Sequence, residues 1–148
     1  MLNLTPKELA TRQVLTINPL ACCQPLGAIY ASLGIHSCMP HSHGPSGCSR
    51  YQGTLLQRHF RKSFKVTTSV LKESAAIFGG DGYLETALKN IFKLYNPEII
   101  AVHTTCLSET IGDDIKACLC DFPLPEGKYL IHANTPSYTG SHITGFSN

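Results

Sequence analysis

The sequence is short of several things, and each shortage removes a class of function. No stretch approaches the roughly 20 consecutive apolar residues that would cross a bilayer. The first thirteen residues mix Lys7, Glu8 and Arg12 with short apolar steps and lack the unbroken apolar core of a secretory signal. Charge is scarce, with 15% charged residues and a net +2, and basic residues gather only at Arg58, Arg61, Lys62 and Lys65. A broad field for DNA or RNA is therefore missing, and the low charge is the composition expected where a partner covers part of the surface. Cysteines paired at the two-to-four-residue spacing of zinc sites are absent as well, because Cys118-Leu119-Cys120 leaves a gap of one. The chain reads as cytoplasmic, with neither nucleic acid nor membrane as partner.

Cysteine itself is plentiful. Seven cysteines among 148 residues, in a compartment that keeps thiols reduced, point to metal or redox chemistry rather than disulfides. A single domain of this length buries roughly 70% of its unfolded surface and needs no covalent staple.

The pattern along the chain is α/β. Thr5, Pro6 and Glu8 mark a short helix over Leu4–Arg12. Leu26, Ile29, Tyr30 and Leu33 give a helical rhythm that Gly34 ends, and Cys23 stands just before it. His41 to Cys48 reads as a small-residue loop leading into a helix over Ser49–Phe60, and Val66 to Val70 as a strand. Ala75 to Gly82 reads as a glycine-punctuated turn. An amphipathic helix then spans Tyr83–Tyr95, Asn96-Pro97 stops it, and Glu98–Val102 is a buried parallel strand. Asp113 and Asp114 start a further helix through Cys120, and Lys128–His132 is the last strand. Sheets of this kind bind ligands beyond the carboxyl ends of their strands, where Cys106 and Ser137 fall.

Cys23, Cys48 and Cys106 each lie in a separate glycine- or proline-marked context. Three such thiols suit one bulky thiophilic object held between loops, of which an iron–sulfur cluster is the natural example. Plainer roles compete for the same residues. Cys106 alone fits a buried core thiol, and Cys22, Cys38, Cys118 and Cys120 fit packing. His41 and His43 fit solvent-facing or hydrogen-bonded loop histidines. Glu109, Asp113 and Asp114 fit helix capping, Ser137 a turn, Tyr51 packing, and Phe78 a turn anchor.

Ile17-Asn18-Pro19 through Cys23-Gln24-Pro25-Leu26-Gly27-Ala28, His43-Gly44 through Gly47-Cys48, Ala76-Ile77-Phe78-Gly79-Gly80, Thr104 through Asp114, and Asn134 through Gly145 occur in a characteristic order. In this combination the chain resembles the N-terminal part of the beta subunit of nitrogenase molybdenum–iron proteins. The Met39–His43 stretch and the Thr139–His142 run favour the molybdenum type over the vanadium and iron-only types. The resemblance implies a Rossmann-like parallel sheet flanked by helices, with residues 1–22 as an N-terminal helix and arm and residues 23–148 as the first α/β domain of a subunit truncated at its C-terminus.

By the same resemblance, an alpha subunit completes an iron–sulfur P-cluster for which Cys23, Cys48 and Cys106 are the beta-side ligands, with Ser137 ligating one iron in the oxidised form. Tyr51 then lies near the cluster, and Phe78 on the surface where the ATP-dependent iron protein docks. Two alpha–beta pairs form a heterotetramer, and dinitrogen is reduced at an iron–molybdenum cofactor in the alpha subunit. The rival readings are a subunit of a cofactor-assembly scaffold or of a light-independent protochlorophyllide reductase, and a non-catalytic cysteine-rich metal-binding module.

Overall fold

The computed structural model describes residues 22–61 and 63–148; the helix expected over Leu4–Arg12 and the rest of the arm before Cys22 lie outside the described residues. Four strands among them, β1 (Cys38–His43), β2 (Thr67–Thr68), β3 (Ile99–Thr104) and β4 (Tyr129–Ala133), form one sheet in the order β2-β1-β3-β4. Every pairing is parallel. β1 and β3 run together from Cys38 opposite Ile99 to His43 opposite Thr104, whereas β2 joins β1 only at His41 and Ser42. The helices are α1 (Gln24–Leu33), α2 (Ser46–Phe60), α3 (Glu73–Phe78), α4 (Asp81–Tyr95), α5 (Cys106–Ile111), α6 (Ile115–Asp121) and α7 (His142–Ser147). This is the expected Rossmann-like α/β architecture.

Period-two alternation along the strands divides the core. Met39, Ile100 and Val102 point to one face, where they meet Leu84, Leu88 and Ile91 of α4, Ile115 of α6 and Phe122. Positions 84, 88 and 91 follow one stripe of a 3.6-residue helix, and Leu84 and Leu88 are fully buried. Asn96 ends α4 in the left-handed conformation, its N–H returning to the Ile91 and Phe92 carbonyls. α1 and α7 cross on the other face, where Ala28 and Ile29 are buried.

Three local expectations are corrected. The segment from His41 to His43 belongs to strand β1 and is buried, and α2 begins at Ser46, three residues early, so Cys48 sits inside its first turn. A strand containing Pro40 and two histidines has no apolar alternation to announce it. Proline is tolerated there because β2 pairs only with the two residues that follow it. Ala75 to Phe78 is helical, and the break comes only at Gly79, whose φ of +89° suits glycine. The strand expected over Val66–Val70 contracts to two residues, with Val70 itself at φ +53°.

A candidate thiolate site at the strand ends

Each expected ligand follows the carboxyl end of a strand or opens a helix. Cys23 is the N-cap of α1, with Pro25 in the first turn, where its missing N–H costs nothing. Cys48 is the third residue of α2, reached from β1 through Gly44 and Pro45. Cys106 is the first residue of α5, directly after β3; Thr105 precedes it, and its N–H donates to the Ser108 hydroxyl at 2.9 Å. Gly44 permits the approach of these segments, since a Cβ there would fall 2.3 Å from the Thr105 hydroxyl.

Ser137, in the loop after β4, ties the group together. Its N–H donates to the Cys106 sulfur at 3.3 Å, and its hydroxyl accepts from the Gln24 N–H at 3.2 Å, beside Cys23. Gln24 is held in turn by a 2.9 Å bond from its amide nitrogen to the Thr139 hydroxyl. The thiols are half-buried. Burial pushes the Cys23 thiol up, opposed by the Leu26 amide and reinforced by Cys48 and Cys22. Burial likewise raises Cys48, with Cys106 adding to the effect. Mutual repulsion of this kind opposes ionising Cys23 and Cys48 together and favours a bound cationic centre, while the helix starts supply partial positive charge.

Tyr51 lies one turn beyond Cys48 on α2, within electrostatic reach of the Cys22 and Cys23 thiols and half exposed. Phe78 is remote from the thiols in sequence and 86% exposed at the end of α3. Cys22 lines an apolar cavity of about 520 Å³ with Leu26, Tyr30, Leu56 and Phe146. Cys118 packs against the core, and Cys120 is exposed. No disulfide joins the seven cysteines. Among the described residues no three His, Cys, Asp or Glu side chains converge on a position for one metal ion. Three soft thiolates on three separate segments are a donor set whose chemistry suits a larger thiolate-held group.

Sequence reasoning missed a buried histidine network beneath the site. His41 contacts the hydroxyls of Thr67 at 2.9 Å and Ser69 at 2.8 Å; Ser69 also bonds His43 at 2.8 Å, and His43 Nε2 donates to Asp113 at 3.0 Å. The His-x-His alternation at positions 41 and 43 was the signal for it. On the opposite face His103 is buried, and neither ring nitrogen finds a hydrogen-bond partner among the described residues. Of the three acidic candidates, Asp114 does cap a helix, accepting from Ala117 N–H at 3.0 Å. Asp113 instead reaches inward, and Glu109 accepts from the Thr104 hydroxyl.

These histidines make the fold acid-sensitive. Burial, with the neighbouring His103 and His43, pushes His41 down to about 3, and burial pushes His103 down to about 4. Above pH 6.5 both are neutral whether the chain is folded or not, and they cost nothing. Below it the unfolded chain takes up protons that the folded chain refuses, so stability falls as pH drops towards those lowered values. Two such protons correspond to a slope of about 3 kcal/mol per pH unit near pH 5. Denaturant midpoints between pH 7 and 4.5 check this; His103→Leu is expected to remove about half the slope.

The family described as "Nitrogenase component 1 type Oxidoreductase" matches residues 23–148, from the first of the three candidate ligands to Asn148. The chain belongs to this nitrogenase component 1 type family. The nitrogenase molybdenum–iron protein beta chain of Clostridium pasteurianum is 57% identical over 152 aligned residues, covering 100% of this chain and 33% of that one. The corresponding beta chain of Klebsiella pneumoniae is 43% identical, covering 93% and 27%. A solved structure titled "Nitrogenase Cp1 at pH 6.5" superposes with a TM-score of 0.87 at 56% identity, covering 100% of this chain and 33% of its own. The chain thus spans about a third of the length of its component 1 relatives.

Proposed function

We propose that this chain is the first part of a component 1 beta subunit, with residues 23–148 as its first α/β domain and residues 1–22 as an arm. Its role is to hold one side of a P-cluster shared with an alpha subunit. The observation that carries the proposal is the junction at Ser137, whose N–H and hydroxyl link the Cys106 sulfur to the residue following Cys23. Cys23, Cys48 and Cys106 are the thiolate ligands, soft donors suited to iron–sulfur ligation. Their half-buried state leaves one side of the set open to ligands from a second chain.

When bound, such a cluster supplies reversible electron storage. The protein fixes the three thiols at helix starts and excludes much of the surrounding water. It also presents a hydroxyl at Ser137 that, on losing its proton, becomes a harder oxygen donor for oxidised iron. Tyr51 stands beside the cluster, and Phe78 forms part of the docking surface for an ATP-using iron protein. In the complete heterotetramer the electrons pass onward to an iron–molybdenum cofactor in the alpha subunit, where dinitrogen is reduced to ammonia. The site of action in this reading is the cytoplasm. No helix among the described residues is long and apolar enough to cross a membrane.

Anaerobic co-expression with an alpha subunit and the assembly machinery, followed by iron and acid-labile sulfide analysis, tests the reading. Iron and sulfide that co-purify with both chains support it, and a complex free of both refutes it. Ser137→Ala is expected to leave the iron content of the reduced complex unchanged while altering the magnetic spectrum of the oxidised form. Loss of all iron would contradict that role.

A further inference from the structure

Asp113 is a nearly buried carboxyl group, its side chain 3% exposed, and it touches two segments with separate assignments above. One oxygen accepts from the Gly80 N–H at 2.7 Å, two residues beyond Phe78. The other accepts from His43 Nε2 at 3.0 Å. The close approach depends on glycine at position 80, since a Cβ there would lie 2.3 Å from the Asp113 oxygen. The His43 carbonyl accepts from the Thr105 N–H at 3.2 Å, the Thr105 hydroxyl at 3.1 Å and the Ser108 hydroxyl at 3.0 Å. Cys106 lies between those two residues. A short, buried path of hydrogen bonds thus runs from the Phe78 turn through Asp113 and His43 to the backbone that carries the Cys106 thiol.

The carboxyl group also fixes the histidines beneath it. Because Asp113 accepts from His43 Nε2, the other ring nitrogen of His43 must accept, so the Ser69 hydroxyl donates to it. Ser69 then accepts from His41 Nε2, which leaves His41 Nδ1 as an acceptor; the Thr67 hydroxyl 2.9 Å from it also lies 3.1 Å from the Pro40 carbonyl, and its one proton serves only one of the two. One donor direction runs from His41 through Ser69 and His43 to Asp113, which stiffens that row.

We propose that Asp113 is a positioning residue that holds the exposed Phe78 turn and the Cys106 thiol at one fixed separation, so that a protein seated on Phe78 is set in register with the group bound at Cys106. This rests on the reading of Phe78 as a docking residue and Cys106 as a ligand. Asp113 touches neither the partner nor the cluster in this role. Docking strength and metal content should therefore survive its loss, and the efficiency of transfer once docked should not. Misplacement of reacting groups by about 1 Å can cost up to about a hundredfold in rate.

The test uses the assembled alpha–beta complex. Asp113→Asn puts an amide donor or an oxygen where both neighbours donate, so one of the two bonds is lost. Iron and sulfide content and the half-saturating iron-protein concentration are expected to match the unsubstituted complex, while electron transfer at saturation falls about tenfold. Amides of Thr105 to Ser108 are expected to exchange with solvent about tenfold faster. His43→Gln, which keeps a donor towards Asp113, should recover most of the transfer lost in His43→Ala, and this pair decides the matter if Asp113→Asn fails to fold. Wild-type transfer and exchange in Asp113→Asn would overturn the proposal, as would a defect confined to half-saturation, loss of iron, or equal behaviour of the two His43 variants. An unsubstituted complex lacking iron would instead overturn the cluster reading underneath it.

Discussion

Replacing Cys106 by alanine in the assembled complex is expected to remove essentially all of the iron and sulfide held at the shared site, with the two chains still associated. The alanine deletes a sulfur donor and also leaves the Ser137 N–H without its 3.3 Å acceptor. Loss of iron could then arise from a disturbed loop instead of a missing ligand. Cys106→Ser separates the two causes, because its hydroxyl can still accept from Ser137 but is a poor substitute for a soft thiolate. If Cys106 is a ligand, serine and alanine both lose iron. Recovery of full iron by serine would make Cys106 a structural acceptor only. Cys120→Ala, at an exposed position on α6, is the control that should leave metal content unchanged. Iron retained at the original level in Cys106→Ala would end the assignment.

Gly27→Ala is expected to destabilise the fold by about 3 kcal/mol or more, at the upper end of overpacking effects. α1 and α7 approach at Gly27 so closely that an added Cβ would lie 1.8 Å from the His142 carbonyl oxygen and 2.7 Å from the Phe146 nitrogen. The obstacles are backbone atoms, which no rotamer change can move aside. Gly145 shows the same constraint from the other helix, where a Cβ would come within 2.0 Å of the Gln24 carbonyl oxygen. Separating the helices would also stretch the 2.9 Å bond from the His142 N–H to the Cys22 carbonyl. Few domains have more than 5–15 kcal/mol in hand, so a single methyl group consumes a large share. Gly53→Ala is the contrasting variant. Nothing lies within 4 Å of its added Cβ, and its place inside α2 should make it stabilising by about 0.5–1 kcal/mol. Denaturant midpoints of the two variants should therefore move in opposite directions.

The legible parts of the fold were those whose burial is apolar and periodic. Leu84, Leu88 and Ile91 announced α4, and the run from Ile99 to Val102 announced β3, because the core there is built from apolar side chains. β1 was illegible for the opposite reason. Its buried side chains include His41, Ser42 and His43, and the histidines are accommodated by hydroxyls from Thr67 and Ser69, some 26 to 28 residues away. A local reading sees only polar residues around a proline and assigns a loop. The start of α3 was masked similarly, since Gly79 and Gly80 draw attention to the turn and away from the helix it terminates.

For the site, residue types and their loop-to-helix positions indicated a thiolate group, and the remaining roles came from the family resemblance. Neither could reveal that Asp113 turns inward while Asp114 caps α6. Two adjacent aspartates after a glycine look alike until the packing of Gly80 and His43 distinguishes them.

The bonds that draw the first and last helices together have a consequence in time. Gln24 and Ser137 are 113 residues apart in sequence, and Cys22 and His142 are 120 apart, so the pocket around Cys23 cannot close until nearly the whole described stretch has been synthesised. At about 5–20 residues per second, Cys23 spends on the order of ten seconds outside the ribosome before its neighbours arrive. During that interval it is an accessible thiol open to oxidants and stray metal. Loading of the site is therefore expected only after His142 has emerged, and the chain before that point to be the form most easily spoiled by oxygen.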